Sequence, residues 1–89
     1  MELQPHIKLK SIDIAPTVLL PGDPARVRRI AEFWDTAKEI VFNREFLTMT
    51  GMYRGMPITA LSTGIGCPSA AIAVEELANI GAKTFIRVG

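Results

Sequence analysis

Val18-Leu19-Leu20-Pro21-Gly22-Asp23-Pro24-Ala25-Arg26 joins an apolar run to a glycine turn and then to an arginine. The chemistry this spacing suggests is the binding of a small anion. A helix opening at Pro24 would present free backbone N–H groups, which carry partial positive charge. Gly22, lacking Cβ, lets an anion approach the backbone closely. Arg26 adds a planar fork of donors suited to phosphate. An arginine in the first turn opposes the helix dipole, which a bound anion would offset. The alternative is a solvated Arg26 with Gly22 serving only the turn, and spacing alone leaves the two even. Asp23 reads as a capping carboxylate, not an acid catalyst.

Two further arginines stand in strand-like surroundings. Arg44 lies beside Glu45, and Arg87 lies inside Phe85-Ile86-Arg87-Val88. A guanidinium in such a strand is costly unless paired with a carboxylate or a ligand anion. For either arginine alone, an ion pair with Glu75 or Glu76 is the simpler reading. Three arginines in such settings, one at a helix start, tilt the balance toward an oxyanion site. Nucleophilic catalysis is poorly supplied: there is one cysteine and one histidine, with no base for Cys67 and no visible partner for His6, which reads as a surface or capping residue. Gly64-Ile65-Gly66 lacks the Lys and Ser/Thr of a P-loop and the third glycine of a dinucleotide fingerprint, so it reads as a tight turn. Met49, Met52 and Met56 read as packing residues.

The elements that must position these residues follow from pattern. Thr17–Leu20 is a short strand stopped by Pro21-Gly22. Asp23-Pro24 starts a helix whose apolar spacing runs through Val27, Ile30, Ala31, Phe33 and Trp34. Residues 38–46 fit a strand, and 47–53 continue as extended chain with Gly51 as a bulge or bend. Arg54-Gly55-Met56-Pro57 turns that chain into a strand over 58–63. A helix follows the glycine loop, apolar nearly all round, and Gly81 caps its end. Lys83–Val88 is a last strand. Helices alternating with strands place the chain in the α/β class. No linker or repeat divides it. In open α/β sheets ligands sit beyond the carboxyl ends of the strands, so the segment that would follow Gly89, after the last strand, is where a site is expected.

Composition excludes several classes. The 89 residues carry a net charge of +1, with 48% hydrophobic and 21% charged side chains. An acidic tail, a polybasic arm and a low-complexity disordered segment all need a stronger bias. Nucleic-acid binding through Arg26, Arg28 and Arg29 is disfavoured by that near-neutral charge and by the lack of an aromatic platform. A chain this short has a thin stability margin, and one cysteine and one histidine supply neither a disulfide nor a zinc site. No signal-peptide pattern and no run near ~20 apolar residues is present, so no membrane role is expected and the cytoplasm is the expected compartment.

At these residues the chain resembles the nucleoside phosphorylase family of uridine phosphorylases and hexameric bacterial-type purine nucleoside phosphorylases. The carriers are Val18–Arg26, Asn43-Arg44-Glu45-Phe46, Ser62–Ser69, Ala73–Leu77 and Phe85–Gly89, in this order and spacing. The likeness is closest to uridine phosphorylase, although Pro5-His6-Ile7 and Thr50–Tyr53 lean toward the purine enzymes. It implies a three-layer α/β/α fold with a mixed central sheet, of which residues 1–89 would be the N-terminal segment of one domain. It implies phosphorolysis of a nucleoside, most simply uridine, or else a purine nucleoside or methylthioadenosine. Gly22, Arg26 and Arg87 would bind phosphate, with Arg44 reaching a neighbouring subunit's phosphate and His6 a ribose across the same interface. Glu45, Ile65 (through its carbonyl) and Ser69 would match a potassium site between subunits. No other cofactor is implied, and the assembly would be a dimer-based hexamer. An inactive fragment keeping part of the phosphate site is the other expectation.

Overall fold

The computed structural model describes residues 7, 9, 13–43, 45–64 and 67–88, with only the backbone of 67–69. The elements are β1 (Thr17–Pro21), α1 (Pro24–Ala31), β2 (Thr36–Asn43), β3 (Phe46–Tyr53), β4 (Met56–Leu61), α2 (Cys67–Asn79) and β5 (Thr84–Val88). The five strands form one sheet in the order β2-β3-β4-β1-β5. β1 lies parallel to both β4 and β5, while β3 runs antiparallel to β2 and β4. The sheet is therefore mixed, as expected.

Alternation along the strands divides the core between two faces. Val18, Leu20, Phe46 and Leu61 face α2 and join Ala73, Leu77 and Ile80, with Ile7 and Leu9 from the N-terminal segment. Leu47 and Ala60 face the other way and join Val27 of α1. One helix on each face gives three layers. An apolar sequence nearly all round suggests a helix buried on more than one side, but α2 buries the face of Ala73 and Leu77 and exposes a stripe of Ala71, Glu75, Ala78 and Asn79. The N-terminal segment is tied in by Ile7 N–H, which donates to Glu76 Oε1 at 3.1 Å, and by Ala15 N–H, which donates to Thr59 Oγ1 at 2.8 Å.

The caps form as the sequence indicates. Asp23 Oδ1 accepts from Ala25 N–H at 2.9 Å, with Pro24 at the helix start. An Asp23→Ala variant should lose about 1 kcal/mol of stability in a denaturant melt, since one helix donor loses its acceptor; an unchanged midpoint would refute the cap's contribution. Gly81 has φ +110, with Gly81 N–H bonded to Ala78 O and Ala82 N–H to Leu77 O, a Schellman ending.

Three boundaries differ from expectation. α1 stops at Ala31, because the next turn tightens: Phe33 N–H bonds to Ile30 O and Trp34 N–H to Ala31 O. Trp34 still reaches the α1-side core, whereas Phe33 is 79% exposed. Second, residues 38–53 do not run on as one extended chain: β2 and β3 pair antiparallel, with Asn43 opposite Phe46. Third, the register shift lies between Glu39 and Val41, not at Gly51. Gly51 stays in regular pairing with Ala37 and Ile58. Its role is close approach: a Cβ there would run into the Thr36 carbonyl and lie 2.9 Å from Ala37 Cα. The β3–β4 hairpin forms as expected, but with a tighter turn: Arg54-Gly55, at φ +51 and +80, make a type I′ turn, and Met56 and Pro57 already belong to β4, which ends at Leu61.

Candidate functional site

The connections after β1 and β4 leave the sheet in opposite directions. β1 feeds α1 on one face, and β4, its immediate neighbour, feeds α2 on the other. A crevice opens where neighbouring strands send their chains apart, and that is where α/β sheets bind ligands. Here a cavity of about 400 Å³ occupies that position, lined by Gly22, Asp23, Pro24, Glu45 and Gly64. One wall is the β1–α1 turn, the other the β2–β3 turn, and the β4–α2 loop lies between them.

Both walls are bonded to that loop. Thr63 N–H donates to Pro21 O and Gly64 N–H to Gly22 O, each at 2.9 Å. The Ser62 hydroxyl donates to Glu45 O at 2.5 Å and accepts from Leu47 N–H at 2.8 Å. Gly64, at φ +77, lets Glu45 lie directly against it; a Cβ on Gly64 would stand 2.6 Å from Glu45 Cγ. Gly22 is different. A Cβ there would meet the protein only at an ordinary 3.5 Å from Gly64 O, so local packing does not require glycine. What an added Cβ would obstruct is approach to the backbone, which is the reason an anion site calls for glycine.

The structure brings together part of the expected set. Gly22 and Glu45 line the cleft. Arg26 is exposed on the first turn of α1 and borders a second cavity, of about 600 Å³, between α1 and the β3–β4 hairpin. Arg87 sits near the end of β5, level with Leu20 on the neighbouring β1, and is exposed. Its exposure removes the burial cost that called for an ion pair with Glu75 or Glu76. Arg44, His6 and Ile65 lie outside the described residues, and of Ser69 only the backbone in α2 is described. Of the three residues assigned to potassium by resemblance, Glu45 therefore offers the one described side chain, a hard oxygen donor suited to such a cation. Among the described residues no three His, Cys, Asp or Glu side chains cluster as a metal site, and no helix is long and apolar enough to cross a membrane.

Sequence reasoning assigned no role to Ser62 and took Gly64 only as a turn former. Both prove to hold the cleft's walls. The available signal was the polar Ser62-Thr63 pair ending an apolar strand immediately before the glycine.

Comparison with known proteins agrees with this architecture. Residues 16–89 match the family model of the phosphorylase superfamily. A uridine phosphorylase from Thermococcus kodakarensis is 62% identical over 98% of this chain and 31% of its own length. A guanosine phosphorylase from Halorubrum lacusprofundi is 47% identical over the whole of this chain and 37% of its own. Among solved structures, uridine phosphorylase from Vibrio fischeri superposes with a TM-score of 0.96 at 47% identity, over the whole of this chain and 37% of that one. Purine nucleoside phosphorylase from Toxoplasma gondii, in complex with immucillin-H, gives 0.95 at 47% identity, over 98% of this chain and 35% of that one. The chain thus spans about a third of the length of the relatives it matches. With its mixed sheet, its helix on either face and the family match across most of its residues, this chain belongs to the phosphorylase superfamily.

Proposed function

We propose that this chain forms part of a single nucleoside phosphorylase domain that cleaves the N-glycosidic bond of a nucleoside, uridine in the first place, with phosphate as co-substrate. The observation that carries the reading is the cleft at the divergence of β1 and β4, with Gly22 and the α1 N-terminus on its wall. Phosphate attacks the anomeric carbon of the ribose as the base departs with the bonding electrons, giving free base and ribose 1-phosphate. The transition state is oxocarbenium-like, and the nucleophile is the phosphate itself. The protein then has to hold and orient a dianion, and backbone donors with arginines do this without a nucleophilic side chain. In this reading Gly22, Arg26 and Arg87 bind the phosphate. Arg44 reaches a neighbouring subunit's phosphate and His6 its ribose, in a dimer-based hexamer. Glu45, Ile65 and Ser69 hold a potassium ion between subunits. The cytoplasm, with a role in nucleoside salvage, fits this assignment.

The identity to a uridine phosphorylase favours uracil. A purine nucleoside is the second reading, supported by the guanosine phosphorylase and purine nucleoside phosphorylase relatives. The test is cleavage of uridine, inosine, guanosine and methylthioadenosine with and without phosphate. Phosphate-dependent release of free base is expected, fastest on uridine; release that ignores phosphate would overturn the reading. Arg26→Ala and Arg87→Ala should each raise the phosphate KM at least about tenfold, as expected for loss of a charge-assisted contact of about 1.5–3 kcal/mol. Wild-type phosphate dependence in both variants would remove them from the site.

A further inference from the structure

We propose that Ser62 is a positioning residue of this cleft, its buried hydroxyl holding the wall that carries Glu45 in register with the wall that carries Gly22. The inference rests on the phosphorylase reading and deepens it. Ser62 is fully buried. Its hydroxyl is committed in both directions, donating to Glu45 O and accepting from Leu47 N–H. It therefore spans the two backbone groups that flank Phe46, where the β2–β3 turn enters β3. In the ladder, Ser62 N–H bonds to Leu47 O at 3.0 Å. The return bond from Leu47 N–H goes to the side chain, because the chain is leaving the sheet there for α2. The next two residues bond to Pro21 and Gly22 through their backbone. Three consecutive residues thus clasp both walls: the Thr63 hydroxyl only adds a longer 3.5 Å bond to Pro21 O, which Thr63 N–H already holds, whereas the Ser62 hydroxyl bonds to Glu45 O on the opposite wall. Removing the hydroxyl leaves the buried Leu47 N–H and the half-buried Glu45 carbonyl without this partner, which loosens the hold of β3 on the turn that carries Glu45.

Thr59 provides the comparison. It lies on β4, three residues before Ser62, is equally buried, and its hydroxyl also joins two groups: it accepts from Ala15 N–H and meets Thr50 Oγ1 at 2.9 Å. None of those groups lines the cleft. Thr59→Val and Ser62→Ala therefore remove similar bonds at different distances from the site.

The experiment measures steady-state kinetics of the purified protein and both variants, with Ser62→Thr as the variant that keeps a hydroxyl. Ser62→Ala should raise the phosphate KM about tenfold, the usual scale for losing a group that orients a ligand contact. The nucleoside KM should stay near its original value, and Ser62→Thr should recover most of the loss. Thr59→Val should lower the melting temperature and leave the phosphate KM unchanged. An unchanged phosphate KM in Ser62→Ala, or an equal rise in Thr59→Val, would overturn the inference while leaving the phosphorylase reading intact. Absence of any phosphate-dependent turnover in the unsubstituted protein would overturn both. Should Ser62→Ala not fold, amide exchange in the unsubstituted protein decides. Leu47 N–H should exchange as slowly as the mid-strand amides of β3, and exchange as fast as that of the exposed β3–β4 turn would refute the bond.

Discussion

Gly51→Ala should lower stability by about 3 kcal/mol or more, among the larger effects a single methyl group can have. The reason is backbone against backbone. The new Cβ would run into the Thr36 carbonyl oxygen, 2.8 Å from its carbon and 2.9 Å from Ala37 Cα. A clash with the tip of a flexible side chain is relieved by a rotamer change. This one is relieved only by parting β2 from β3 at the end where Thr36 pairs with Met52. Parting them also endangers the Asp35 N–H to Met52 O bond, 2.7 Å long, which anchors the start of β2. A thermal melt should show a Tm drop of more than about 10 °C for a domain of this size. A drop of a degree or two would mean that the strands adjust and that the steric account is wrong.

Gly64→Ala should be the most damaging change within the cleft. Two penalties combine there. Alanine at φ +77 is strained, at about 1–2 kcal/mol. Its Cβ would also stand 2.6 Å from Glu45 Cγ and 3.1 Å from Glu45 Cβ, atoms too near the main chain to swing aside. Gly55→Ala isolates the first penalty, since Gly55 has a similar φ of +80 and an added Cβ meets nothing within 4 Å. Gly64→Ala should therefore melt below Gly55→Ala, and it should also weaken phosphate binding, read by titration calorimetry, while Gly55→Ala leaves binding alone. Equal melting temperatures and equal phosphate affinities in the two variants would show that Glu45 yields without disturbing the site.

Much of this architecture was legible because local chemistry and fold agree. Asp23-Pro24 specifies a helix start, and the structure supplies the cap bond. Gly81 specifies a helix end, and it takes positive φ. Arg54-Gly55 lies in a conventional turn context. The β2–β3 turn was hidden because Arg44-Glu45 carries no glycine, proline or asparagine between two strand-forming runs. The end of α1 was hidden because Phe33 and Trp34 continue a helical spacing that the chain does not use. Phe33 turns to solvent and Trp34 reaches the core from a tighter turn. Of the residues lining the cleft, Gly22 stood out from its turn-and-helix setting, and Glu45 through the family resemblance. Ser62 could not: a serine at a strand end is common, and its significance is the pair of backbone groups, Glu45 O and Leu47 N–H, that the hairpin brings beside it. That is tertiary information.

The place of β1 in the sheet has a kinetic side. The β2–β3–β4 meander closes through two tight turns, so its pairings join near neighbours in the chain. β1 instead sits between β4 and β5, with Val18 opposite Thr59 and Phe85. Pairings of such sequence separation carry the larger loop-closure entropy and are the slow ones in folding. The bonds from Thr63 and Gly64 to Pro21 and Gly22 lie at the end of that same β1–β4 pairing. A chain that has formed only its hairpins has a turn carrying Glu45 but no opposite wall, so the cleft comes into being with the step that completes the sheet.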